Sequence, residues 1–263
     1  MQTLNQDELQ LVEREELIGG FFMKKAAVML YPLFSMQEIS CTTELFKFYD
    51  KEIVTFAAGG EAVKSEDGFT ILPDGAFEEF RREDFDCLLL PGCWEPLPVM
   101  LDERNIRFLE QFRGDGELVI AAISSAPLLL GKAGLLEGRR FTHALFEEFL
   151  DAFPVVPREG VVRTFLVEDG NLITAHGGAF REFAAAVGRK VGLDCPETVF
   201  SGMAGKDYTE EDFIFHFPPE DMEEVRADWA RCLEEAHQRA ASVQSPVPSA
   251  ARQPALQQDC AQK

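Results

Sequence analysis

The stretch Glu117-Leu118-Val119-Ile120-Ala121-Ala122-Ile123-Ser124-Ser125-Ala126-Pro127 decides the fold. A continuous apolar run stops at two serines, and a helical pattern opens at Pro127. Parallel strands covered on both faces read as unbroken apolar runs. A strand that ends at a small nucleophilic residue and turns at once into a helix is how an α/β protein builds a nucleophile elbow. The turn lifts one hydroxyl above the carboxyl edge of the sheet and leaves the next backbone N–H to face an oxyanion. Ala122 and Ala126, two residues to either side of Ser124, are small enough to permit it. The glycine-flanked form G-x-S-x-G is absent, so the local pattern is equally compatible with serines that cap the helix beginning near Pro127.

Working outward, strand-like apolar runs occur at Ala26–Tyr31, Ile53–Ala57, Cys87–Pro91, Leu118–Ile123 and Leu172–Ala175. Helical patterns such as Met36–Tyr49, Ile106–Arg113 and Phe180–Val191 separate them. Strands alternating with helices of that length imply crossover units and a parallel sheet covered on both faces. A hairpin-like excursion is expected at Ala62–Pro73, with Asp67-Gly68 as its turn. Pro219–His237 reads as a final amphipathic helix with the proline at its start. Residues 1–22 form an acidic extension, residues 23–239 one domain, and residues 240–263, rich in Ala, Ser, Gln and Pro, a tail expected to be disordered because burial cannot offset its ordering entropy.

With 263 residues, 46% of them hydrophobic, the chain can bury one sizeable core. Its formal net charge of −21 argues against a polyanionic partner, because phosphate binding relies on Lys and Arg. The first residues have neither the basic start nor the apolar core of a signal peptide, and no apolar run is long enough to span a bilayer, so a cytoplasmic location is expected, with no membrane partner. Six cysteines without C-x-x-C spacing indicate neither a zinc site nor a disulfide framework. Without a phosphate-cradling glycine loop, a dinucleotide fingerprint or a metal-ligand cluster, no cofactor and no metal are expected.

Ligands in open α/β sheets bind at the carboxyl ends of the strands, so the segments that follow the strands are read together. They are YPLFSMQEIS with Glu38, LPGCWEP, the elbow at Ser124, and AHGGAF with His176; His143 closes the short run Arg140–His143. This set supplies a nucleophile, a carboxylate and imidazoles. Glu38 has two readings: a general acid or base whose pKa rises beside an apolar pocket, or a helix-start carboxylate favoured by the dipole. Cys93 reads as a small buried hydrophobe or as a reactive thiol. The run Leu145, Phe146 and Phe149 reads as packing or a dimer surface, and Glu210-Glu211-Asp212 as a solvated helix start.

Taken in order and spacing, AAVMLYPLFSMQEIS, FDCLLLPGCWEP, AAISSAP, RRFTHA and VEDGNLITAHGGAFREFA resemble the ThiJ/PfpI superfamily, of the class I glutamine-amidotransferase-like group. The resemblance runs from about Lys24 to Leu193 and implies a flavodoxin-like three-layer α/β sandwich with a mostly parallel sheet. It also implies site roles: Ser124 on the elbow position, Glu38 as the acidic residue bonded to it, and His143 as the strand histidine. The backbone N–H groups of Cys93 and Ser125 become the oxyanion hole, with Gly92, Trp94, His176 and Gly177 around the pocket. Three positions depart from the family pattern. Ser124 replaces the usual cysteine, which removes thiolate redox chemistry; Ser125 replaces the histidine of the peptidase branch; and Cys93 replaces the second glycine of its turn.

The function expected from these residues is a hydrolase-like or small-carbonyl-acting enzyme in which Ser124 attacks, His143 moves the proton, and Glu38 orients or protonates. A non-catalytic ligand-binding or stress-response protein is the alternative. A glutamine-amidotransferase subunit is disfavoured, since that chemistry in this fold depends on a cysteine. The partners expected are a small molecule and, through exposed apolar helices, a second copy of the chain.

Overall fold

The computed structural model describes residues 23–196, 199–200, 210–214 and 216–243; the 1–22 extension and most of the expected tail lie outside the described residues. Five parallel strands, β1 (Lys25–Leu30), β2 (Ile53–Ala57), β6 (Phe85–Leu90), β7 (Val119–Ile123) and β9 (Leu172–Ala175), form the centre of a seven-stranded sheet. The short strand β5 (Gly75–Ala76) adds to one edge in parallel, and β8 (Leu166–Asp169) closes the other in antiparallel pairing with β9. The full order is β5-β2-β1-β6-β7-β9-β8. Ranked along the chain, the five central strands follow the 2-1-3-4-5 order of flavodoxin-like sheets, whose switch point lies between the first and third. Here that is between β1 and β6.

The strand ends lie within about two residues of those read from the sequence, and burial explains why. From Ala26 to Leu30, from Cys87 to Leu90 and throughout β7, every residue is buried. Covered on both faces, these strands must be apolar at every position rather than at alternate ones. β8 escaped the reading because it is an edge strand with a mixed burial pattern. A two-residue turn joins it to β9, with Gly170 at φ +59°. The expected hairpin is present as β3 (Val63–Lys64) and β4 (Thr70–Ile71), with Gly68 at φ +91°.

Helices α1 (Met36–Phe48) and α6 (Phe180–Lys190) pack against each other as one group. A second group is formed by α2 (Pro96–Leu101), α3 (Glu103–Glu110), α4 (Pro127–Lys132) and α7 (Met222–Val243); the short α5 (Glu147–Ala152) lies between α4 and β8 in the chain. The result is a flavodoxin-like α/β sandwich. The final helix starts after Pro219–Asp221, as its proline suggested, but continues to Val243, past the expected boundary at 239. Leu145, Phe146 and Phe149 pack: Leu145 is buried, Phe146 meets both Phe149 and Phe217 edge-on, and Phe149 meets Phe217 at a tilt.

Candidate functional site

Ser124 directly follows β7 and has a φ of +65°. A non-glycine residue in the left-handed region costs roughly 1–2 kcal/mol and persists only where neighbours hold it. They do so here: Ser124 donates its N–H to the Ala175 carbonyl at 2.8 Å, and its own carbonyl accepts the Ala144 N–H at 2.9 Å. The Ala126 N–H closes the turn on the Ile123 carbonyl at 3.1 Å, and Pro127 occupies the first helical position of α4. This is the strand-to-helix elbow that the sequence pattern describes.

Glu38 reaches the elbow from the first turn of α1, the helix that follows β1. Its Oε2 accepts the Gly92 N–H at 2.6 Å, and its carboxyl group lies beside the Ser124 hydroxyl, which favours the charged form. Adjacent strands β1 and β6 bring their following segments together, and a second bond, from the Ser35 N–H to the Gly92 carbonyl at 2.9 Å, locks that turn to the start of α1. Burial pushes the Glu38 carboxyl up to about 7; the bonds from Ser124 and Gly92 act against the shift, and the nearby charges of Glu66 and Asp67 add to it. Asp67, at the hairpin tip, also accepts the Met36 N–H at 2.8 Å, so the excursion is fastened to the start of α1.

Two glycines make the approach possible. A Cβ on Gly92 would sit 2.7 Å from Ser124 Cβ and 2.9 Å from its Oγ. One on Gly177 would lie 2.7 Å from Glu38 Oε1 and 3.1 Å from Ser124 Oγ. Three of these four distances are below any normal Cβ contact and the 3.1 Å one is tight, so side chains at these positions would part the carboxyl from the hydroxyl.

The two groups expected to form an oxyanion hole are not equally placed. The Cys93 N–H donates to Ser125 Oγ at 2.9 Å, and that hydroxyl returns a bond to the Cys93 carbonyl at 3.1 Å. The Cys93 donor is therefore engaged within the fold, while the Ser125 N–H has no acceptor among the described residues. The Cys93 thiol is buried, which pushes it up to about 12, so it is protonated at neutral pH and behaves as a small hydrophobe. Tyr31, which the sequence reading did not single out, is buried beneath this turn and donates its hydroxyl to the Pro91 carbonyl. Its only advance signal was a tyrosine ending an otherwise apolar strand.

His143 is buried, and its Nδ1 accepts the Leu145 N–H at 3.0 Å. A backbone N–H can only donate, so the lone pair on Nδ1 is occupied and the proton of the neutral ring lies on Nε2. That Nε2 is buried with no hydrogen-bond partner among the described residues. Burial drives the imidazole down to about 4, against the pull of Glu147. The ring is thus neutral at pH 7 and has no lone pair to offer Ser124, which corrects the expected proton-moving role: in this geometry His143 is an N–H donor. His176 is half-buried and uses Nδ1 to accept the Gly178 N–H at 3.1 Å, capping the short turn Gly177–Ala179. Its ring meets Phe165 and Phe213 edge-on. Trp94, at the end of the β6 turn, is 77% exposed.

Among the described residues no group of histidine, cysteine and carboxylate side chains is arranged to hold a metal ion, and no helix is long and apolar enough to cross a membrane. The Drosophila melanogaster protein dj-1beta is 31% identical to this chain over 172 residues, 64% of this chain and 89% of that protein. Protein/nucleic acid deglycase 2 of Escherichia coli is 31% identical over 121 residues, 45% of this chain and 70% of that enzyme. A crystallised mutant of a DJ-1 superfamily protein from Salmonella typhimurium superposes with a TM-score of 0.57 at 30% identity, covering 66% of this chain and 94% of that one. Residues 24–190, which contain the elbow, Glu38, Gly92, His143 and Gly177, match the DJ-1/PfpI family as a whole, and the chain belongs to that family.

Proposed function

We propose that this protein is an enzyme acting on a small electrophilic carbon, a carbonyl or an adduct of one, with Ser124 as nucleophile and Glu38 as the general base and acid. The observation that carries this reading is the place of the Ser124 hydroxyl beside a buried carboxyl group: a Cβ at Gly177 would meet both groups, and burial raises the carboxyl pKa to about 7. A serine hydroxyl is a weak nucleophile unless a base takes its proton as it attacks. A base is most effective when its pKa lies near the working pH.

In the proposed step, Ser124 Oγ forms a bond to the electrophilic carbon while its proton passes to the Glu38 carboxylate. The π pair of the carbonyl moves to oxygen, which the Ser125 N–H faces from the start of α4. For a carbonyl that bears a heteroatom substituent, collapse of the adduct breaks the carbon–heteroatom bond and re-forms the carbonyl, Glu38 gives the proton to the departing heteroatom, and water then attacks the acyl-serine, its proton passing to Glu38 and on to Ser124 Oγ as the acid leaves. Relatives described as deglycases act in the same family, which supports a carbonyl-derived substrate. The elbow serine distinguishes this chain's chemistry from that of a cysteine.

One observation favours a second reading, a ligand-binding pocket without turnover: the Ser125 hydroxyl occupies the Cys93 N–H and so reduces the oxyanion donors. Treatment with a serine-directed fluorophosphonate, followed by intact mass and peptide mapping, separates the two. Labelling at Ser124 that is lost in Glu38→Gln supports the enzyme; no labelling at Ser124 supports the binding pocket.

A further inference from the structure

Between Glu38 and the elbow lies the turn after β6, and its backbone polar groups from the Pro91 carbonyl to the Trp94 N–H are all engaged. The Tyr31 hydroxyl donates to the Pro91 carbonyl, the Gly92 N–H donates to Glu38, and the Ser35 N–H donates to the Gly92 carbonyl. The Trp94 N–H donates to the Leu33 carbonyl at 3.0 Å. The two backbone groups of Cys93 are held differently, because one hydroxyl takes both. Ser125 Oγ accepts the Cys93 N–H at 2.9 Å and donates its proton to the Cys93 carbonyl at 3.1 Å. A hydroxyl has a single proton, and the approach to Cys93 Sγ is longer, at 3.9 Å, which leaves the carbonyl as its acceptor. Both residues are buried, so loss of this hydroxyl would leave two backbone groups without a partner. Nor does Ser125 serve as a cap for α4: its carbonyl accepts the Leu128 N–H, but its hydroxyl is turned to Cys93.

The glycine within the turn makes such a lock necessary. A Cβ on Gly92 would sit 2.7 Å from Ser124 Cβ, so the close approach of turn and elbow requires glycine there. A residue without a Cβ has the widest choice of backbone angles. The direction of the Gly92 N–H is therefore set by the bonds on either side of it: Ser35 on its own carbonyl, and Ser125 on the residue that follows. We infer that Ser125 is a positioning residue for the candidate site: by gripping both backbone groups of Cys93, its hydroxyl aims the neighbouring Gly92 N–H at Glu38 and so fixes the carboxyl group beside Ser124. The two consecutive serines then divide the work, one supplying the reacting hydroxyl and the next setting the group that activates it. The inference rests on the proposed reaction for its effect on the reactivity of Ser124, and on the geometry alone for its effect on Glu38. The Ser125 N–H is a separate group, which a change of side chain retains.

The test follows the Gly92 amide and the Glu38 carboxyl carbon of the full chain by NMR as pH is raised through the ionisation of Glu38. Burial keeps the Tyr31 hydroxyl and the Cys93 thiol protonated over that range, drives His143 down to about 4 and lowers His176, so a response near 7 reports Glu38. In the parent protein the Gly92 amide proton is expected to move downfield as Glu38 ionises, because a bond to a carboxylate is stronger than one to the neutral acid. Ser125→Thr and Ser125→Val share one shape and differ by the hydroxyl, so strain from the added methyl group is common to both. In Ser125→Val and in Ser125→Ala the Gly92 response is expected to be largely lost and the Glu38 midpoint to rise; Ser125→Thr should match the parent in both. Threonine and valine variants that behave alike, or hydroxyl-free variants that lose melting temperature yet keep the Gly92 response, overturn the inference. Labelling of Ser124 by a fluorophosphonate gives the consequence for reactivity, expected to be about tenfold slower in Ser125→Val than in Ser125→Thr. If Ser124 is labelled in none of these proteins while the Gly92 response follows the hydroxyl, the catalytic reading fails and the positioning role stands. Labelling at equal rates in the two variants, with the Gly92 response unchanged between them, does the reverse.

Discussion

Glu38 Oε2 accepts the Gly92 N–H at 2.6 Å, which ties the helix after β1 to the turn after β6 across the point where the strand order reverses. The Ser124 hydroxyl lies beside the same carboxyl group, so three strand ends meet around one side chain. Glu38→Gln preserves the shape but removes the base. Turnover is expected to fall by about 10²–10⁴-fold, with the melting temperature at pH 7 retained or raised; steady-state kinetics and calorimetry check this. In the parent protein kcat/KM should rise with pH through a single ionisation near 7 and then level off, with no contribution from His143 in that range.

The pH dependence of stability separates Glu38 from His143. The Glu38 pKa is raised from 4.5 to about 7, so the folded state holds a proton that the unfolded chain has released; this stabilisation is complete below 4.5 and is lost as pH rises to about 7. The His143 pKa is lowered from 6.5 to about 4, so its contribution is complete above 6.5 and is lost as pH falls towards 4. The two oppose each other between about 4.5 and 6.5. In Glu38→Gln the His143 term stands alone, and urea unfolding should show stability climbing over that window more steeply than in the parent. The difference should be on the order of 2 kcal/mol.

The positive φ of Ser124 can be measured by comparing two variants that both lack the hydroxyl. Ser124→Gly releases the left-handed strain, and Ser124→Ala keeps it. The glycine variant is expected to exceed the alanine variant in stability by about 0.5–1 kcal/mol, although glycine adds entropy to the unfolded chain. In both, removal of the hydroxyl that favours the charged carboxylate should move the Glu38 titration upward, as read by carboxyl-carbon NMR.

Gly177→Ala tests the spacing of the pair. The new methyl group would press on Glu38 Oε1 and Ser124 Oγ, both at the ends of side chains that can rotate away. Stability should therefore change by less than about 1 kcal/mol, while activity falls by tenfold or more, since a displacement of about 1 Å at a reacting group can cost 10²-fold.

Cys93 is expected to resist alkylation. A thiol pushed up to about 12 is protonated at pH 8, so native protein treated with iodoacetamide should be modified at Cys93 only after denaturation, as peptide mapping would show. Rapid native labelling of Cys93 would reopen its reading as a displaced nucleophile.

The sequence by itself determined the order and type of the central elements. Strands buried on both faces must be apolar throughout, so β1, β6 and β7 announce themselves, and Ser124 stands out because a polar residue ends such a run just before a helix-opening proline. Short and edge elements such as β5, β8 and α5 were not legible, because half-buried segments carry no complete pattern. Glu38 was nameable from its place after β1, but two readings of it stayed open until the fold set it against Gly92 and Ser124, which are distant in the chain. Tertiary structure alone decided three further points: Ser125 occupies the Cys93 N–H, burial neutralises both Cys93 and His143, and the Leu145 N–H takes the imidazole lone pair. The reason is physical. Hydrophobic patterning is written locally along the chain, whereas a pKa, a tautomer and a free donor depend on which groups from other segments surround an atom and how much water they leave it.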